Sequence, residues 1–581
     1  MRRRSMSSAE IRQLMLGIAL VVATGLGPDL FGSKYWSHNF QLVNIVVAAA
    51  VFQNFLMHDA NQISFGQGAI FGIGAYVAAM ASVYAGLPWV LAIAVAAGAA
   101  ALGGLLFAIP ALRVQGYYLG FVTLSAAAVF PELLFALDKY TNGINGITVP
   151  PGIWRSDIAF GVTPLSLASI AVACLAMLLH VAIRHSALGR KIKVAGASPE
   201  AAQTLGIRPG VIRSVVFIIA CVGTGIAGAL YSPIIGFVTP AAFHLELSIL
   251  LFLAVIVGGR GQILGPLTGV YLLYLLPNVL LVNLVDYRLL AYGVLALLVM
   301  LAMPDGIIGS ILRGRGGRSG TELSHLNPNT FPVPAVRSDR GSPAGEPEVS
   351  IRNATKTFGA VVAMDDVDLD IERGTIVGLI GGNGSGKTTL LNAVTGFNRL
   401  GKGSVKIRGR STARHSPATI AHLGIGRTFQ TPRIFDTLTA WENILIGREC
   451  ALAPNDDPAF RHLDDVERTL ANSDTETVPH GQRRSMEVLR VILTGADILL
   501  LDEPAAGLSQ DERKALSSFL LRLRNETGKT ILLVEHDLDL VWKIADKIAV
   551  MDTGKLVACG SPQDLMQDPA VRKLFIRSAD A

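Results

Sequence analysis

The sequence predicts a polytopic α-helical membrane domain of about ten spans followed by an α/β domain, and three observations carry that expectation. Apolar stretches long enough to cross a hydrocarbon core recur as far as Met303 and then stop. A segment rich in Gly, Pro, Ser and Arg follows, with little apolar periodicity. Beyond it, short continuous β-branched runs alternate with amphipathic stretches, the pattern of buried parallel strands between helices. The expected division is residues 1–306 for the membrane domain, 307–346 for a flexible linker and 347–581 for the α/β domain.

Composition agrees with a large share in lipid. Hydrophobic residues make up 51% of the 581 and charged residues only 16%, with a mean hydropathy of +0.47, which excludes an ordinary soluble enzyme. The net charge is +6, and its Lys and Arg gather at the N-terminus, in one mid-chain loop and around the linker. That distribution points to membrane orientation rather than nucleic-acid binding. Cys174, Cys221, Cys450 and Cys559 lie far apart, without the spacing of a zinc site, and read as free thiols.

Spans are expected near residues 12–32, 41–58, 68–86, 88–111, 117–137, 163–183, 213–237, 245–285 and 288–303. The stretch 245–285 is long enough for two, broken at Gly258, Gly259, Arg260 and Gly261. Six spans precede the loop 184–213, where Arg184, Arg190, Lys191 and Lys193 satisfy the positive-inside bias. Gly66, Gly68, Gly72 and Gly74 suit close helix packing. Asn61, Gln62, Gln67 and Glu132 are polar residues in or near spans, and such groups often mark a path, although none is assigned to a substrate.

The chemistry begins at the apolar strand 376–380, which runs into Gly381, Gly382, Asn383, Gly384, Ser385, Gly386, Lys387 and Thr388, and from Thr389 into a helix. Glycines let backbone N–H groups approach phosphate oxygens, the helix N-terminus adds positive potential, Lys387 reaches terminal phosphates and the Thr388 hydroxyl suits Mg²⁺. This is a P-loop in its strand-to-helix context. At the end of the apolar run 498–501, Asp502 is placed to hold Mg²⁺ and Glu503 to polarise an attacking water. A nucleotide-hydrolysing domain needs cytosolic ATP, so Arg2, Arg3 and Arg4 before the apolar stretch 14–26 read as the inner end of an uncleaved first span rather than as a secretory signal. Ten spans return the chain to the same side.

With the P-loop and Asp502–Glu503 in order, residues 347–581 resemble an ABC ATPase, and the resemblance implies further roles. Phe358 would stack on adenine. Gln430 would be the Q-loop residue that senses the γ-phosphate and Mg²⁺, and His536 the switch histidine. The signature loop, usually Leu-Ser-Gly-Gly-Gln, stands here as Val478, Pro479, His480, Gly481 and Gln482, and the position of the D-loop aspartate holds Ser509. Since a signature loop closes the ATP site of the opposite cassette, these changes fall on the partner's site.

The runs EPAAGL at 503–508, GIGRTFQ at 424–430 and VEHD at 534–537 resemble the ATP-binding subunits of branched-chain amino-acid importers, from whose helical subdomain the stretch 443–478 departs by being short. In the membrane part, QISFGQGAIFGIGAY at 62–76, RVQGYYLGFVTL at 113–124 and TNGING at 141–146 resemble the permease subunit of the same importers. Glu200, Ala201, Ala202 and, four positions on, Gly206 fit the coupling pattern of importers, a short helix ended by a glycine.

The resemblance implies ATP-driven import of branched-chain or other hydrophobic amino acids, with ATP and Mg²⁺ as cofactors. It implies a location in the bacterial inner membrane with the ATPase in the cytoplasm. Partners would be a periplasmic substrate-binding protein and a second permease and ATP-binding subunit, or a second copy of this chain. Import of urea or short amides, an ABC exporter and a membrane-anchored signalling ATPase are the alternatives.

Overall fold

A computed structural model describes residues 6, 8–113, 117–150, 158, 161–280, 287–313, 328, 331, 333, 346–451, 475 and 478–568. It divides the chain into one unit of Met1–Gly196 with Pro209–Arg318 and another of Ala197–Arg208 with Ser319–Ala581.

The first unit is helical apart from a two-residue pairing of β1 (Ile147–Thr148) with β2 (Phe237–Val238). Its helices are α1 (Ser8–Leu30), α2 (Lys34–Asn54), α3 (Gln67–Val83), α4 (Trp89–Arg113), α5 (Tyr117–Ala136), α6 (Asp138–Thr141), α7 (Pro164–Arg184) and α8 (Ala187–Ala197). After α9 (Pro199–Thr204), which belongs to the other unit, come α10 (Pro209–Ala229), α11 (Tyr231–Ile235), α12 (Leu245–Gly258), α13 (Gly265–Val270), α14 (Arg288–Ala302) and α15 (Gly306–Arg313). Among the described residues, eight helical segments are long and apolar enough to cross a membrane, and Gln67–Val83 and Gly265–Leu275 are shorter apolar helices.

Packing in this unit follows the logic of lipid rather than water. On α4, Ala92, Ala96 and Ala100 are wholly buried, while Val90 is 70% and Leu106 69% exposed. Small residues let backbones approach, and large apolar side chains face outward where hydrocarbon solvates them. The glycines of α3 act in this way. A side chain at Gly74 would collide with the Gly225 carbonyl of α10, and one at Gly228 with the backbone of Phe71.

The expected break within 245–285 separates α12 from α13. Its irregular backbone is satisfied by side chains from three helices, and its Arg260 side chain reaches the π-helical turn Phe55–Asp59. Arg184 Nη1 donates to Gly261 O at 2.5 Å, Gly261 N to Asn54 Oδ1 at 2.9 Å and Ile263 N to Gln13 Oε1 at 3.1 Å. Arg260 Nη2 donates to Met57 O at 2.5 Å. Backbone groups that leave the helical pattern need such internal partners when buried.

Residues 307–313, placed by composition at the start of the linker, form most of α15, whose Ile307 packs on the core of this unit. Apolar pairs Ile307–Ile308 and Ile311–Leu312 recur one turn apart, which outweighs the glycine content. Most of the remaining linker lies outside the described residues, but Phe331 is buried against Phe519 of the second unit, ring centroids 5.3 Å apart.

The second unit holds α9, β3 (Val349–Phe358), β4 (Val361–Ile371), β5 (Ile376–Ile380), α16 (Lys387–Val394), β6 (Lys402–Ile407), β7 (Arg410–Ser411), α17 (Pro417–Ala421), β8 (Ile425–Arg427) and α18 (Ala440–Glu449). It continues with α19 (His480–Leu493), β9 (Ile498–Asp502), α20 (Gln510–Thr527), β10 (Thr530–Val534), α21 (Leu538–Ile544), β11 (Lys547–Asp552), β12 (Lys555–Gly560) and α22 (Pro562–Gln567). One sheet runs β12-β11-β5-β10-β9-β8, parallel except for β12. The four β-branched runs expected as strands, 375–380, 498–501, 530–534 and 547–551, are its contiguous centre, β11-β5-β10-β9. A second sheet, β4-β3-β6-β7, is antiparallel and was not foreseen. Register shifts along β3, with positive φ at Asn353 and Asp366, break the alternation that would reveal these strands in sequence.

Gly74→Val should lower the melting temperature of the detergent-solubilised chain by about 5 °C or more, while Gly98→Ala, whose methyl meets nothing within 4 Å, should stay within about 1 °C. Equal melting of the two variants would mean that α3 and α10 do not need their close approach.

Candidate nucleotide site

The site sits at the carboxyl ends of the central strands. Strand β5 is buried along its length and delivers the chain to Gly381, where a side chain would collide with the Met551 carbonyl of β11. The loop closes at Gly386, φ +102°, a left-handed conformation that starts α16 directly behind it. Lys387 is buried and its Nζ donates to the carbonyls of Gly381 and Gly382, both at 2.8 Å, so the ammonium is held over the loop. Burial lowers its pKa, against the opposing pull of Glu503 and Asp502. Gly382, Asn383, Gly384 and Thr388 are exposed, Thr389 is half-buried and Ser385 is buried.

Three residues singled out from sequence meet at one atom. Glu503 Oε1 accepts from Gln430 Nε2 at 2.9 Å and lies 3.1 Å from His536 Nε2. The backbone of Glu503 has φ +50°, and its N–H donates to Val534 O at 2.8 Å, turning the carboxylate away from the strand that precedes it. Asp502, at the end of β9, is buried, and its N–H donates to Thr428 Oγ1 at 3.0 Å. Burial pushes its carboxyl up, while Arg427, 3.9 Å away, holds it down.

Phe358 ends β3 with its ring half exposed and Lys356 Nζ 5.0 Å from the ring centroid. Pro479 is the N-cap of α19 and offers no capping side chain, so the first-turn N–H groups of the signature helix remain donors. Gly481 lies in that first turn beside Gly507 and Leu508, the side chain of His480 lies outside the described residues, and Gln482 Oε1 is buried without a partner among them. Ser509 caps α20. Its Oγ accepts from Glu512 N at 3.3 Å, and Glu512 Oε2 accepts from Ser509 N at 2.8 Å. Aspartate and serine are equivalent as helix caps. The stretch 443–478, expected to be short for its subdomain, lies mostly outside the described residues.

The residues expected from sequence to couple the two domains lie in the same unit as this site. Helix α9 is capped by Ser198, which accepts from Ala201 N, and the chain turns at Gly206, φ +77°. Ala201 and Ala202 are buried. Glu200 Oε2 accepts from Arg433 Nη2 at 3.2 Å, and His422 Nε2 lies 3.0 Å from Gly206 O.

A buried charged network went unread in the sequence. Arg484 Nη1 donates to Phe429 O at 2.5 Å, and Nη2 to Gln430 O. Glu487 pairs with Arg484 at 3.4 Å and with Arg490 at 3.6 Å, and accepts from Arg433 N at 3.1 Å. Arg490 Nη2 donates to Arg433 O at 2.7 Å. The signature helix is thereby tied to the backbone of residues 429–433. The signal available was the spacing 484, 487 and 490, charges on one helix face. Glu535 was also missed. It is buried, and its carboxylate accepts from Ala505 N at 2.6 Å and His536 N at 3.2 Å, so it ties the loop after Glu503 to the histidine.

Comparison with known proteins finds two family matches. The family described as "Branched-chain amino acid transport system / permease component" matches residues 40–304, and "ABC transporter" matches 364–506. A high-affinity branched-chain amino acid transport ATP-binding protein of Pseudomonas aeruginosa is 36% identical over 252 residues, 40% of this chain and 99% of that one. Its counterpart in Escherichia coli is 34% identical over 253 residues, again 40% and 99%. A solved nucleotide-free ATP-binding cassette from an ABC transporter is 28% identical, covers 39% of this chain and 98% of that one, and has a TM-score of 0.34.

Burial pushes the Glu535 carboxyl up to about 7 from 4.5, with Glu503 and Asp537 adding to the rise. The folded state therefore binds this proton more tightly than the unfolded chain. The stability it contributes is complete below about pH 4.5 and is lost as pH rises through about 7. Glu535→Gln should reduce the loss of stability between about pH 5 and pH 8, read as urea midpoints of hydrogen exchange in β9 and β10. An unchanged pH dependence in the variant would rule this out.

Proposed function

The chain belongs to the branched-chain amino-acid family of ABC transporters, with permease and ATP-binding parts in one polypeptide, and from that premise we propose that it imports branched-chain or other hydrophobic amino acids across the bacterial inner membrane. One observation carries the reading. A permease of that transport family is continuous with a cassette whose relatives, matched over 99% of their length, are named for the same transport. The chain is a membrane protein, its cassette binds nucleotide and hydrolyses ATP, and it works with partner subunits and a substrate-binding protein.

In the proposed arrangement residues 1–306 are the permease, 307–346 the connection and 347–581 the ATP-binding domain, with the cassette in the cytoplasm. Lys387 and the loop N–H groups hold the phosphates, and Phe358 supports adenine. Glu503 polarises the attacking water. Gln430 and His536 hold its carboxylate and would contact the γ-phosphate. Thr388, Asp502 and Gln430 offer hydroxyl, carboxylate and amide oxygens, hard donors suited to Mg²⁺, and the buried Asp502 carboxyl gains from a further positive charge. Bound there, Mg²⁺ would neutralise phosphate charge. Pro479, His480, Gly481 and Gln482 serve the site of a partner cassette, in a second copy of this chain or a separate subunit. The binding protein is periplasmic and delivers substrate to a pair of permeases.

Motion passes through α9. A change in the position of Gln430 reaches Arg433 three residues on, and through it Glu200. Both charges are about half exposed, so the pair aligns the two elements more than it stabilises them.

Vesicles carrying the chain, its binding protein and its partner subunits should take up labelled leucine when ATP is supplied on the cassette side. ATP-driven efflux without a binding protein would overturn import, and uptake of urea but not leucine would overturn the substrate. Glu503→Gln should lower ATP turnover at least about 100-fold and abolish uptake while nucleotide still binds. Continued uptake in that variant would point to a cassette that signals instead. Glu200→Lys should cut uptake about tenfold with ATP turnover within about twofold, and Arg433→Glu in the same chain should recover part of it. Additive losses in the double variant would mean that the pair does not transmit the motion.

A further inference from the structure

Arg427 and Asp502 are a buried ion pair that does not close. Each is 2% exposed, and Nη2 of the arginine stands 3.9 Å from Oδ2 of the aspartate. A charge-assisted hydrogen bond would bring them to about 2.8 Å, whereas Arg408 Nη2 does reach Glu348 Oε1, at 2.5 Å. Opposite charges in a poor dielectric attract strongly, so the separation needs a restraint. Part of it comes from the P-loop helix. Arg427 Nη1 donates to Asn392 Oδ1 of α16 at 2.7 Å and to Oγ1 of Thr395, the C-cap of that helix, at 2.8 Å. The rest comes from aromatic rings. The guanidinium carbon of Arg427 lies 5.2 Å from the ring centroid of Phe429 and 5.7 Å from that of Phe397, and the two rings meet edge to face at 6.3 Å. Both distances fall where a cation is attracted to an aromatic face. Burial lowers the Arg427 pKa to about 10, against the pull of Asp502, Glu200 and Glu487, so the group is charged at neutral pH.

The ring of Phe429 has a second cation. The guanidinium carbon of Arg433 lies 5.7 Å from its centroid, and Arg433 is the partner of Glu200 on α9. Glu200, Arg433, Phe429, Arg427 and Asp502 therefore form one unbroken series of contacts, all within the second unit. Helix α9 itself packs on α17 and on β8, the strand that ends at Arg427. Arg484 fixes the Phe429 carbonyl, which leaves the side chain as the part able to shift.

We propose that Phe429 is a positioning residue whose ring holds the Arg427 guanidinium back from Asp502, keeping that carboxylate open to a divalent cation, and ties the spacing to α9 through Arg433. With the ring in place, Arg427 supplies positive potential beside Asp502 without capping it. Without the ring, the guanidinium closes on the carboxylate and competes with the cation. The inference rests on the roles proposed above for Asp502 as a metal ligand and for α9 in coupling, and it names the residue that connects them.

The test uses the full chain with its partner subunits and binding protein. Mn²⁺ binding in the presence of ADP, read by electron paramagnetic resonance, reports on the cation site, and labelled leucine taken up per ATP hydrolysed reports on coupling. Both are normalised to nucleotide sites titrated with a fluorescent ADP, so that loss of folded chain does not count. Phe429→Leu should raise the Mn²⁺ dissociation constant about fivefold or more and lower leucine per ATP by about the same factor. Phe429→Tyr, which keeps the ring, should stay within about twofold on both counts. Arg427→Met added to Phe429→Leu removes the competing guanidinium and should return Mn²⁺ affinity to within about twofold of the wild type. A merely structural role for the ring predicts still weaker binding in the double variant. That result, or full Mn²⁺ affinity in Phe429→Leu alone, would overturn the inference. Glu200→Lys combined with Phe429→Leu should lower leucine per ATP no further than the larger single loss, and additive losses would overturn the link to α9. Unchanged Mn²⁺ affinity in Asp502→Asn would instead overturn the metal reading beneath the inference and leave the import function standing.

Discussion

The second unit is organised around a single carboxylate oxygen. Glu503 Oε1 receives Gln430 from one side and His536 from another, although the two come from different loops, after β8 and β10. Bringing them together requires the parallel order β10-β9-β8 and the turn of Glu503 out of its strand at positive φ. Such a backbone conformation is unfavourable for glutamate and persists only where its surroundings impose it. They do so through Glu503 N to Val534 O and through Glu535, which grips Ala505 and His536 with its two oxygens. Displacing any of these supports shifts the oxygen on which the others converge.

The same oxygen is connected to distant parts of the unit. Gln430 accepts Arg484 at its carbonyl and donates to Glu503 with its side chain, so one residue joins α19 to the Glu503 carboxylate. Because the ion pairs of Arg484, Glu487 and Arg490 are buried, loss of one partner strands the other in a poor dielectric. That makes the joint stiff, in contrast to the exposed contact of Glu200 with Arg433.

What the sequence disclosed depended on how local each feature is. The P-loop, Asp502 and Glu503 were legible because strand, turn and helix follow one another within a few residues, and α9 because a short Glu-Ala-Ala helix ends at a glycine. The antiparallel sheet was not legible, since bulges in β3 destroy its period of two. Nor was the tie from Arg484 to the carbonyls 54 and 55 residues before it, a long-range bond that no spacing encodes. In the permease, hydropathy located the helices well and the break at Gly258 was visible as glycines in an apolar run.

Assigning Ala197–Arg208 to the cassette's unit has a consequence for how the two halves stay joined. The polypeptide passes between the units after Gly196, after Arg208 and after Arg318, so α9 is joined covalently at both ends to the other unit. Its contacts with the cassette are therefore intramolecular, and their occupancy is set by tether geometry rather than by protein concentration. Weak contacts suffice under those conditions. An exposed ion pair such as Glu200 with Arg433, too weak to hold two separate chains together, can remain formed here.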